Sequence, residues 1–498
     1  MLPRADRSSA AVQLFTGSDF MDIFESIQLS AKEIQRLTPD QAWHYHILPV
    51  PSGYTDQGDF FISDQKNGLQ AQEDLEIIFG STQQLLELEH EAILKLLSKY
   101  YRKEHQTGST NTLSYDSSSD DFLKKLIVEA KQIQSSDIHL EIYEAKCRVR
   151  LRIDGQMVER FIIEQTHYPS LVNRIKIMSH LDISEKRLPQ DGRIFFQFGE
   201  GKFDIRVSVL PTLHGEKIVM RLLNQDATNI NIETLGFAQT DLENYLDSTK
   251  RKQGLILISG PTGSGKTTTL YATLKLLNKT TRNILTIEDP VEYTLEGVNQ
   301  AQLKENIGFN FGSALKTFLR QDPDIIMVGE IRDQDTANMA IRLSLTGHLV
   351  LSTIHTNSAW GTVARLIDMG VPPFLLAGTL SVSVAQRLVR LLCPHCKQQT
   401  PFSATDYPKG FKAPMHVDVH YISTGCEQCF YTGYKGRKAV YEVIPIDQEM
   451  AECIKNTIFE VSDKLKERNI KTLSDNAFQL FAEGNTSLDE IYSLLVNF

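Results

Sequence analysis

The sequence of 498 residues predicts an α/β fold whose central sheet is mostly parallel and covered by helices. Four short apolar segments separated by helical stretches are predicted to be strands, namely 255–259, 284–288, 325–328 and 349–354. A glycine-rich loop, Gly260-Pro-Thr-Gly-Ser-Gly-Lys-Thr-Thr268, follows the first strand and precedes a predicted helix. Two Cys-x-x-Cys pairs nearer the C-terminus predict a small metal-binding subdomain.

The composition is that of a globular protein, with 41% hydrophobic and 23% charged residues and a net charge of −10. This acidic balance argues against a broad nucleic-acid-binding surface, which needs an excess of basic residues. No apolar run approaches the roughly 18 residues of a membrane span, and the N-terminus lacks the apolar core of a signal peptide. We therefore expect an intracellular protein whose six cysteines bind metal or remain free thiols.

The first half of the chain is predicted to contain two small domains. Residues 1–102 mix strand and helix signals, with a strand expected at 75–79 and an amphipathic helix at 85–100, and they predict a small α/β domain. A Ser/Thr-rich segment, 103–119, predicts a flexible linker. Residues 120–224 combine a helix with alternating strands, and the dipeptide Asp154-Gly155 is typical of a hairpin turn.

The second half of the chain is predicted to contain the ligand-binding and metal-binding sites. A connector at 225–234 leads to the domain that contains the four strands, 235–390, and ligands of such sheets bind at the carboxyl ends of strands. The cysteine subdomain is expected at 391–437. A C-terminal subdomain of short helices is expected at 438–498, where Ser487 and Glu490 have the spacing of a capping box.

The glycine-rich loop matches the phosphate-binding pattern G-x-x-x-x-G-K-[ST], for which the alternative is an ordinary glycine-rich turn. Glycines let backbone N–H groups curve around phosphate oxygens, and the N-terminus of the following helix adds partial positive charge. We expect Lys266 to reach the β- and γ-phosphates and the Thr267 hydroxyl to hold Mg²⁺. The candidate nucleotide-binding residues are Gly260, Pro261, Thr262, Gly263, Ser264, Gly265, Lys266, Thr267 and Thr268.

The other strands also end in polar residues. Glu330 follows an apolar strand and is expected to polarise the attacking water, whereas Asp324 at the start of that strand is expected to be structural. Glu288 and Asp289 are adjacent carboxylates, which can bind Mg²⁺ through water or orient the nucleophile. His355 follows the last strand and is either a γ-phosphate contact or an ordinary polar residue.

The four cysteines Cys393, Cys396, Cys426 and Cys429 form two knuckles separated by 29 residues. Four thiolates match tetrahedral Zn²⁺ and leave no open position, which predicts a structural metal. Disulfides or an iron–sulfur cluster are the alternatives. A zinc ribbon that binds nucleic acid is a functional alternative, and the three basic residues within 397–425 count against it. Cys147 and Cys453 are expected to be ordinary thiols.

Together these motifs resemble the secretion ATPases of type II secretion and type IV pilus assembly. The resemblance covers about residues 120–498 and rests on the cysteine knuckles and on the segments 135–141, 188–193, 260–268, 286–293, 319–333 and 346–357. It implies a RecA-like P-loop NTPase domain preceded by a PAS-like α+β sheet domain, assembled as a homo-hexamer.

The resemblance also implies residue roles. Glu288 and Asp289 match the aspartate box of the family, Glu330 its Walker B glutamate and His355 its histidine box. Arg193 and Arg206 match arginines that reach the nucleotide from the N-terminal side. Further basic candidates are Arg320, Arg437 and Lys316, of which Lys316 stands where some relatives have arginine and cannot supply a planar fork.

The function implied by the resemblance is a cytoplasmic ATPase that hydrolyses Mg-ATP to power pseudopilus assembly in type II secretion, with type IV pilus assembly as the alternative. The expected cofactors are ATP, Mg²⁺ and structural Zn²⁺. The expected partners are inner-membrane platform proteins, which would hold the protein at the membrane, and no nucleic acid is expected. A nucleic-acid-translocating motor and a nucleotide-gated scaffold without hydrolysis are the alternatives from other classes.

Overall fold

The computed structural model describes residues 122–144, 146–198, 201–223 and 231–496, and in the N-terminal region residues 29, 33, 36–37, 39–51, 59–62, 84–88, 93, 96–97 and 100–101. The chain forms two compact units, Met1–Ser109 and Thr110–Phe498. The strand expected at 75–79, the linker expected at 103–119 and most of the connector lie outside the described residues. Among the helices that are described, none has the length and apolar character needed to span a membrane.

The first unit contains a helix and a three-stranded sheet of order β1-β2-β3, formed by α1 (Pro39–Tyr45), β1 (Ile47–Pro49), β2 (Phe60–Ile62) and β3 (Leu85–Glu87). The helix predicted from residue 85 was wrong at its start, because Leu85–Glu87 pairs with β2 in parallel register. An apolar run as short as this fits the period of a helix as well as that of a strand. Here backbone hydrogen bonds to β2 make it a strand. Residues 93, 96–97 and 100 are helical, as predicted.

The second unit begins with a six-stranded antiparallel sheet of order β6-β5-β4-β9-β8-β7. Its elements are α2 (Phe122–Gln132), β4 (Asp137–Ile142), β5 (Cys147–Ile153), β6 (Gln156–Ile163), α3 (Tyr168–Met178), β7 (Gln190–Phe198), β8 (Gly201–Thr212) and β9 (Gly215–Leu223). Alternate residues of β5 are buried, and apolar residues of both helices pack with the buried residues of the sheet. The hairpin at Asp154-Gly155 is confirmed, and both residues have positive φ, at 48° and 86°.

The central sheet that follows has seven strands in the order β12-β11-β13-β14-β10-β15-β18. Its first elements are α4 (Gln239–Thr249), β10 (Gly254–Ser259), α5 (Lys266–Leu277), β11 (Ile284–Glu288), β12 (Asn299–Gln302), α6 (Phe311–Phe318), β13 (Ile325–Val328), α7 (Gln334–Leu345), β14 (Leu349–Ile354), α8 (Gly361–Asp368), α9 (Pro373–Thr379) and β15 (Leu380–Leu392). Every residue of β10, β11, β13 and β14 is buried, as expected for strands covered on both faces. All four predicted strands are therefore confirmed.

The last elements complete this sheet and close the chain, and they are β16 (Gln398–Pro401), β17 (Val419–Ile422), β18 (Tyr434–Pro445), α10 (Gln448–Lys455), α11 (Ser462–Glu467), α12 (Leu473–Ala482) and α13 (Leu488–Leu495). Strand β18 pairs antiparallel with β15. The boundaries expected after residues 390 and 437 fall inside β15 and β18, because these strands extend the central sheet. Half of the predicted capping box of the last helix is present, since Ser487 Oγ accepts a hydrogen bond from the Glu490 amide at 3.3 Å, whereas the Glu490 carboxylate accepts from Arg390.

The register of the parallel strands positions the polar residues that follow them. Ser259 pairs with Ile354, and Val328 pairs with Ile287 and Ser352. The residues after β10, β11, β13 and β14 therefore leave the sheet at one edge. This is the edge at which open α/β sheets bind ligands.

Candidate nucleotide site and metal centre

The glycine-rich loop joins the end of β10 to the first residue of α5, Lys266. Gly265 has φ +88°, a left-handed conformation that L side chains rarely adopt. A Cβ atom on Gly265 would also lie 2.8 Å from Gln386 Nε2, and one on Gly260 would lie 2.5 Å from the Gln386 carbonyl oxygen. Glycine is therefore required at position 265 by the left-handed backbone and at position 260 by the close approach of the β15 backbone.

Two polar side chains of the loop point to a phosphate ligand. Lys266 Nζ donates to the carbonyl oxygens of Gly260 at 2.8 Å and Pro261 at 3.0 Å. Burial lowers the pKa of Lys266, and the negative charge of Glu330 opposes this shift. Ser264 Oγ is buried and has no hydrogen-bond partner in the part of the chain that is described. Pro261, Thr262, Gly263 and Thr267 are exposed, and Thr268 is half-buried.

Glu330 lies two residues beyond β13 among groups from two neighbouring strands. Its carboxylate forms an ion pair with Arg332 and lies 3.6 Å from His355 Nε2. Arg332 also approaches Asp289, with 3.8 Å between its NH1 and Oδ2 of the aspartate. The structure therefore brings Asp289 and Glu330 to one guanidinium and places His355 beside Glu330. The Glu330 side chain is only 16% exposed, so this arrangement is partly shielded from water.

Glu288 does not share the surroundings of Asp289. Its side chain is buried and accepts hydrogen bonds from the Tyr271 hydroxyl, from Thr286 Oγ1 at 2.6 Å and from Gln300 Nε2 at 3.1 Å. Burial raises the pKa of Glu288, and these hydrogen bonds oppose that shift. Consecutive residues at the end of a strand point to opposite sides, so the adjacent acids face different environments.

Two of the predicted arginines line a cavity of about 550 Å³ between the antiparallel sheet and the central sheet domain. Arg193 and Arg206 are cross-strand neighbours on β7 and β8, and Arg221 of β9 lies beside them. Pro290 and Gln302 form the opposite wall. Arg206 donates to the Val291 carbonyl oxygen at 2.5 Å and lies 3.3 Å from a carboxylate oxygen of Glu292.

The remaining basic candidates make contacts of other kinds. Arg320 is exposed and donates to the Lys316 carbonyl oxygen at 3.3 Å, within the same helical turn. Arg437 lies 3.3 Å from Asp154 at the tip of the β5–β6 hairpin, where the Gly436 amide also donates to Asp154 at 2.7 Å. The structure thus groups Arg193 with Arg206 and places Arg437 in a contact between β18 and the antiparallel sheet.

The four predicted cysteines converge between the ends of β15 and β18. Their sulfur atoms all lie within 4.8 Å of one another, with Cys393–Cys426 at 3.9 Å and both Cys396–Cys429 and Cys426–Cys429 at 3.8 Å. A tetrahedral Zn²⁺ with Zn–S bonds of about 2.3 Å requires S–S distances of about 3.8 Å, whereas a disulfide requires about 2.05 Å. The donor set therefore fits one tetrahedral metal ion, and the four cysteines are free thiols in this structure.

Backbone amides support this metal centre. The amides of Cys426 and Gly433 approach Cys429 Sγ at 3.2 and 3.3 Å, a geometry suited to a thiolate acceptor. The Cys393 amide donates to the Gly433 carbonyl oxygen at 3.0 Å, which joins the two knuckles at their base. Between the knuckles, β16 and β17 form a two-stranded antiparallel sheet.

The sequence model of the family described as Type II/IV secretion system protein matches residues 113–493. Type II secretion system protein E of Pseudomonas aeruginosa is 44% identical over 375 residues, which cover 74% of each chain. The type IV pilus assembly ATPase PilB of Myxococcus xanthus is 45% identical over 374 residues, covering 74% of this chain and 66% of that protein. The chain belongs to the type II/IV secretion system protein family.

The fold of this secretion protein also resembles the X-ray structure of the Legionella pneumophila ATPase DotB, with a TM-score of 0.57 and 20% identity over 75% of this chain and 94% of that chain. This similarity supports the predicted RecA-like P-loop fold. Family membership and the intact phosphate loop identify the chain as a P-loop ATPase. The match begins at residue 113, so the first domain lies outside it.

Several residues of this candidate site were missed by reasoning from sequence. Arg332 stands two residues after Glu330, so the short separation was a usable signal. Tyr271 and Gln300, which bind Glu288, carry no such signal, because they lie 17 and 12 residues away from it. Gln386 and Arg387 reach the phosphate loop from β15, and only the strand order of the sheet brings them there.

Proposed function

We propose that this chain hydrolyses Mg-ATP at the loop Gly260–Thr268 and uses the energy to drive pseudopilus assembly in type II secretion. The observation that carries the proposal is the position of Glu330. Glu330 follows β13 at the same edge of the sheet as the phosphate loop. The negative charge of its carboxylate raises the pKa of Lys266. A nucleotide phosphate held by Lys266 would therefore meet a carboxylate suited to orienting water.

The loop would bind the phosphates through its backbone amides, Ser264 and Lys266, at the N-terminus of α5. The Thr267 hydroxyl is exposed on the first turn of that helix and would hold Mg²⁺ together with Asp289. Bound Mg²⁺ would neutralise negative charge on the β- and γ-phosphates.

Glu330 would orient the water that attacks the γ-phosphate, and its neighbours would fix its orientation. Arg332 and His355 hold the carboxylate from two sides. His355 would also contact the γ-phosphate, because it follows β14, the strand next to the phosphate loop. Glu288 would act indirectly, as a buried group that holds Tyr271 and the segment after β11 in place.

The antiparallel sheet would complete the site with positive charge. Arg193 and Arg206, with Arg221 beside them, would contact the nucleotide within one subunit or across a subunit boundary. Because Arg206 also binds the segment at Val291 and Glu292, a change at the nucleotide would alter the contact between the two domains. Arg320, exposed at the end of α6, would contribute across a boundary between subunits.

The four cysteines would hold one structural Zn²⁺, which stabilises the subdomain through the tetrahedral arrangement of their sulfur atoms. We further propose a cytoplasmic homo-hexamer held at the inner membrane by platform proteins. The relatives named for type II secretion support the proposed role in type II secretion. Type IV pilus assembly is the second candidate, because the pilus assembly ATPase of M. xanthus is equally similar. The net charge of −10 disfavours a nucleic-acid partner.

The test compares Lys266→Ala and Glu330→Gln with the unaltered chain in the purified oligomer. We expect Lys266→Ala to abolish both ATP binding and hydrolysis. Glu330→Gln should keep ATP binding and lower kcat by about 10²–10⁴-fold, the range of general acid–base contributions. The matched controls are Lys409→Ala and Glu467→Gln, which alter exposed residues outside the site. Unchanged turnover in both site variants would show that the site is wrong.

A further inference from the structure

Arg387 lies on β15 next to the phosphate loop. The parallel pairing of β10 with β15 ends at Ser259 and Ala385, so Arg387 follows directly beyond the edge where the loop begins. Its NH1 atom would be 3.1 Å from a Cβ atom placed on Gly260. The guanidinium therefore lies on the side of Gly260 where a side chain would project.

The guanidinium of Arg387 contacts only neutral acceptors. NH1 donates to the Gln386 carbonyl oxygen at 3.1 Å, and NH2 lies 3.4 Å from the Asn357 carbonyl oxygen and 3.3 Å from its Oδ1. Within the described part of the chain, no carboxylate oxygen lies within 4.0 Å of it and no acceptor contacts its Nε–H. A guanidinium has five N–H donors, so this one retains donors for a further ligand.

The charge of Arg387 is uncompensated in a half-buried position. Burial lowers the pKa of Arg387, and only the more distant Glu442 opposes this shift. Glu442 is already engaged, because it accepts hydrogen bonds from the amides of Ala359 and Leu473. The charge of Arg387 also lowers the pKa of Lys266. Two neighbouring cations, neither of which has a carboxylate within 4.0 Å among the described residues, form a site that favours an anion.

We propose that Arg387 is a phosphate-binding residue, whose guanidinium donates to a phosphate oxygen of the nucleotide held by the loop Gly260–Thr268. The inference rests on the proposed nucleotide site. It adds a second cation to that site. Arg387 lies on β15, whereas His355 follows β14, and these two strands flank β10 on opposite sides. Since Arg387 also contacts Asn357, two residues after His355, the same guanidinium links a bound phosphate to the turn that carries the histidine.

The competing explanation is that Arg387 has a purely structural role, in which its contact with Asn357 stabilises the turn beside β15. The two explanations differ in what a substitution changes. Loss of a structural contact with Asn357 lowers the stability of the nucleotide-free protein, whereas loss of a phosphate contact weakens nucleotide binding. Hydrogen bonds to charged groups contribute about 1.5–3 kcal/mol, which corresponds to about a 10–150-fold change in Kd.

The experiment measures the Kd of the 498-residue chain for a non-hydrolysable ATP analogue with Mg²⁺, together with the unfolding midpoint without nucleotide. We expect Arg387→Gln to raise Kd by about 10–150-fold, an effect separate from any change in the midpoint caused by losing its contacts with Gln386 and Asn357. Arg387→Lys keeps the charge without the planar fork, so its Kd should rise by less. The control Arg251→Gln changes an exposed arginine before β10, at the opposite end of that strand, and should leave Kd unchanged.

A Kd that stays within about threefold of the unaltered chain would overturn the inference, and so would a lowered midpoint with unchanged Kd. If Arg387→Gln does not fold, Arg387→Lys is judged by the same two measurements. Lys266→Ala, measured in parallel, separates the two proposals. Loss of binding in Lys266→Ala with normal binding in the Arg387 variants refutes this inference alone, whereas normal binding in Lys266→Ala refutes the nucleotide site itself.

Discussion

Asp241 offers a prediction about stability that follows from a single buried carboxyl group. It lies in the first turn of α4 and is 5% exposed. Burial raises its pKa from 3.8 to about 6, and the charge of Lys471 opposes the shift. Since a tenfold change in proton affinity corresponds to about 1.4 kcal/mol, ionisation of Asp241 should cost the folded state about 3 kcal/mol.

The sign of the pH dependence follows from the raised pKa. The folded state binds the proton more tightly than the unfolded state, so this contribution to stability falls as pH rises from about 4 and is lost above about 6. Asp241→Asn removes the charge and forfeits about 0.3–1 kcal/mol of attraction to the helix N-terminus. At pH 8 the variant should therefore be more stable by about 2 kcal/mol.

The assay is scanning calorimetry of both proteins between pH 5 and 8. A gain of about 2 kcal/mol corresponds to about 4–8 °C in the unfolding midpoint of a domain of 150–250 residues. The advantage of the variant should shrink as the pH approaches 5, where Asp241 is largely protonated in the folded state. A difference that is constant across this pH range would refute the reasoning. Asp247→Asn, an exposed aspartate on the same helix, is the control.

Three further changes test other contacts. Tyr271→Phe removes a donor to the buried Glu288 and should lower the free energy of unfolding by about 1–3 kcal/mol, measured calorimetrically. A double-mutant cycle on Arg206 and Glu292 should give a coupling energy of at most about 1 kcal/mol, because both side chains are partly exposed. Cys429→Ser should abolish stoichiometric zinc in elemental analysis and open residues 393–433 to protease.

Each of these has a matched control. Tyr431→Phe changes an exposed tyrosine and should leave stability unchanged. For the cycle, raising the salt concentration should reduce the coupling, and a coupling well above 1 kcal/mol would contradict a partly solvated pair. Cys147→Ser changes a buried cysteine outside the cluster and should keep the zinc content. Full zinc content in Cys429→Ser would exclude the proposed four-thiolate site.

The parts of the site that the sequence could predict are those with local signals. The phosphate loop, the strand ends carrying Asp289, Glu330 and His355, and the cysteine pairs each lie within a short segment. Parallel strands bring their carboxyl ends to one edge, so local patterns were enough to bring these residues together. The tetrahedral spacing of the sulfur atoms agrees with the metal that the Cys-x-x-Cys pairs predict.

The remaining parts depend on contacts across the chain. Gln386 binds Thr269, 117 residues away, and no pattern in either segment indicates this partner. Glu288 and Asp289 looked alike because they are adjacent, but strand geometry turns one inward to Tyr271 and the other toward Arg332. Leu85 was assigned to a helix because its apolar neighbours fit that period, whereas the pairing with β2 depends on a strand more than 20 residues earlier.

The position of the cysteine subdomain has a consequence for how this part of the chain can vary. The pairing of β15 with β18 ends at Leu392 and Tyr434, and the subdomain leaves and re-enters the sheet between these two neighbours. Adjacent antiparallel strands need only a short hairpin to connect them. Residues 393–433 are therefore an insertion between two paired strands, with the cysteines at its base and with Phe402, Tyr407 and Phe411 packed against the aromatic side chains of α12. A change in the length of this insertion would leave the register of β15 and β18 intact but would alter its packing against α12.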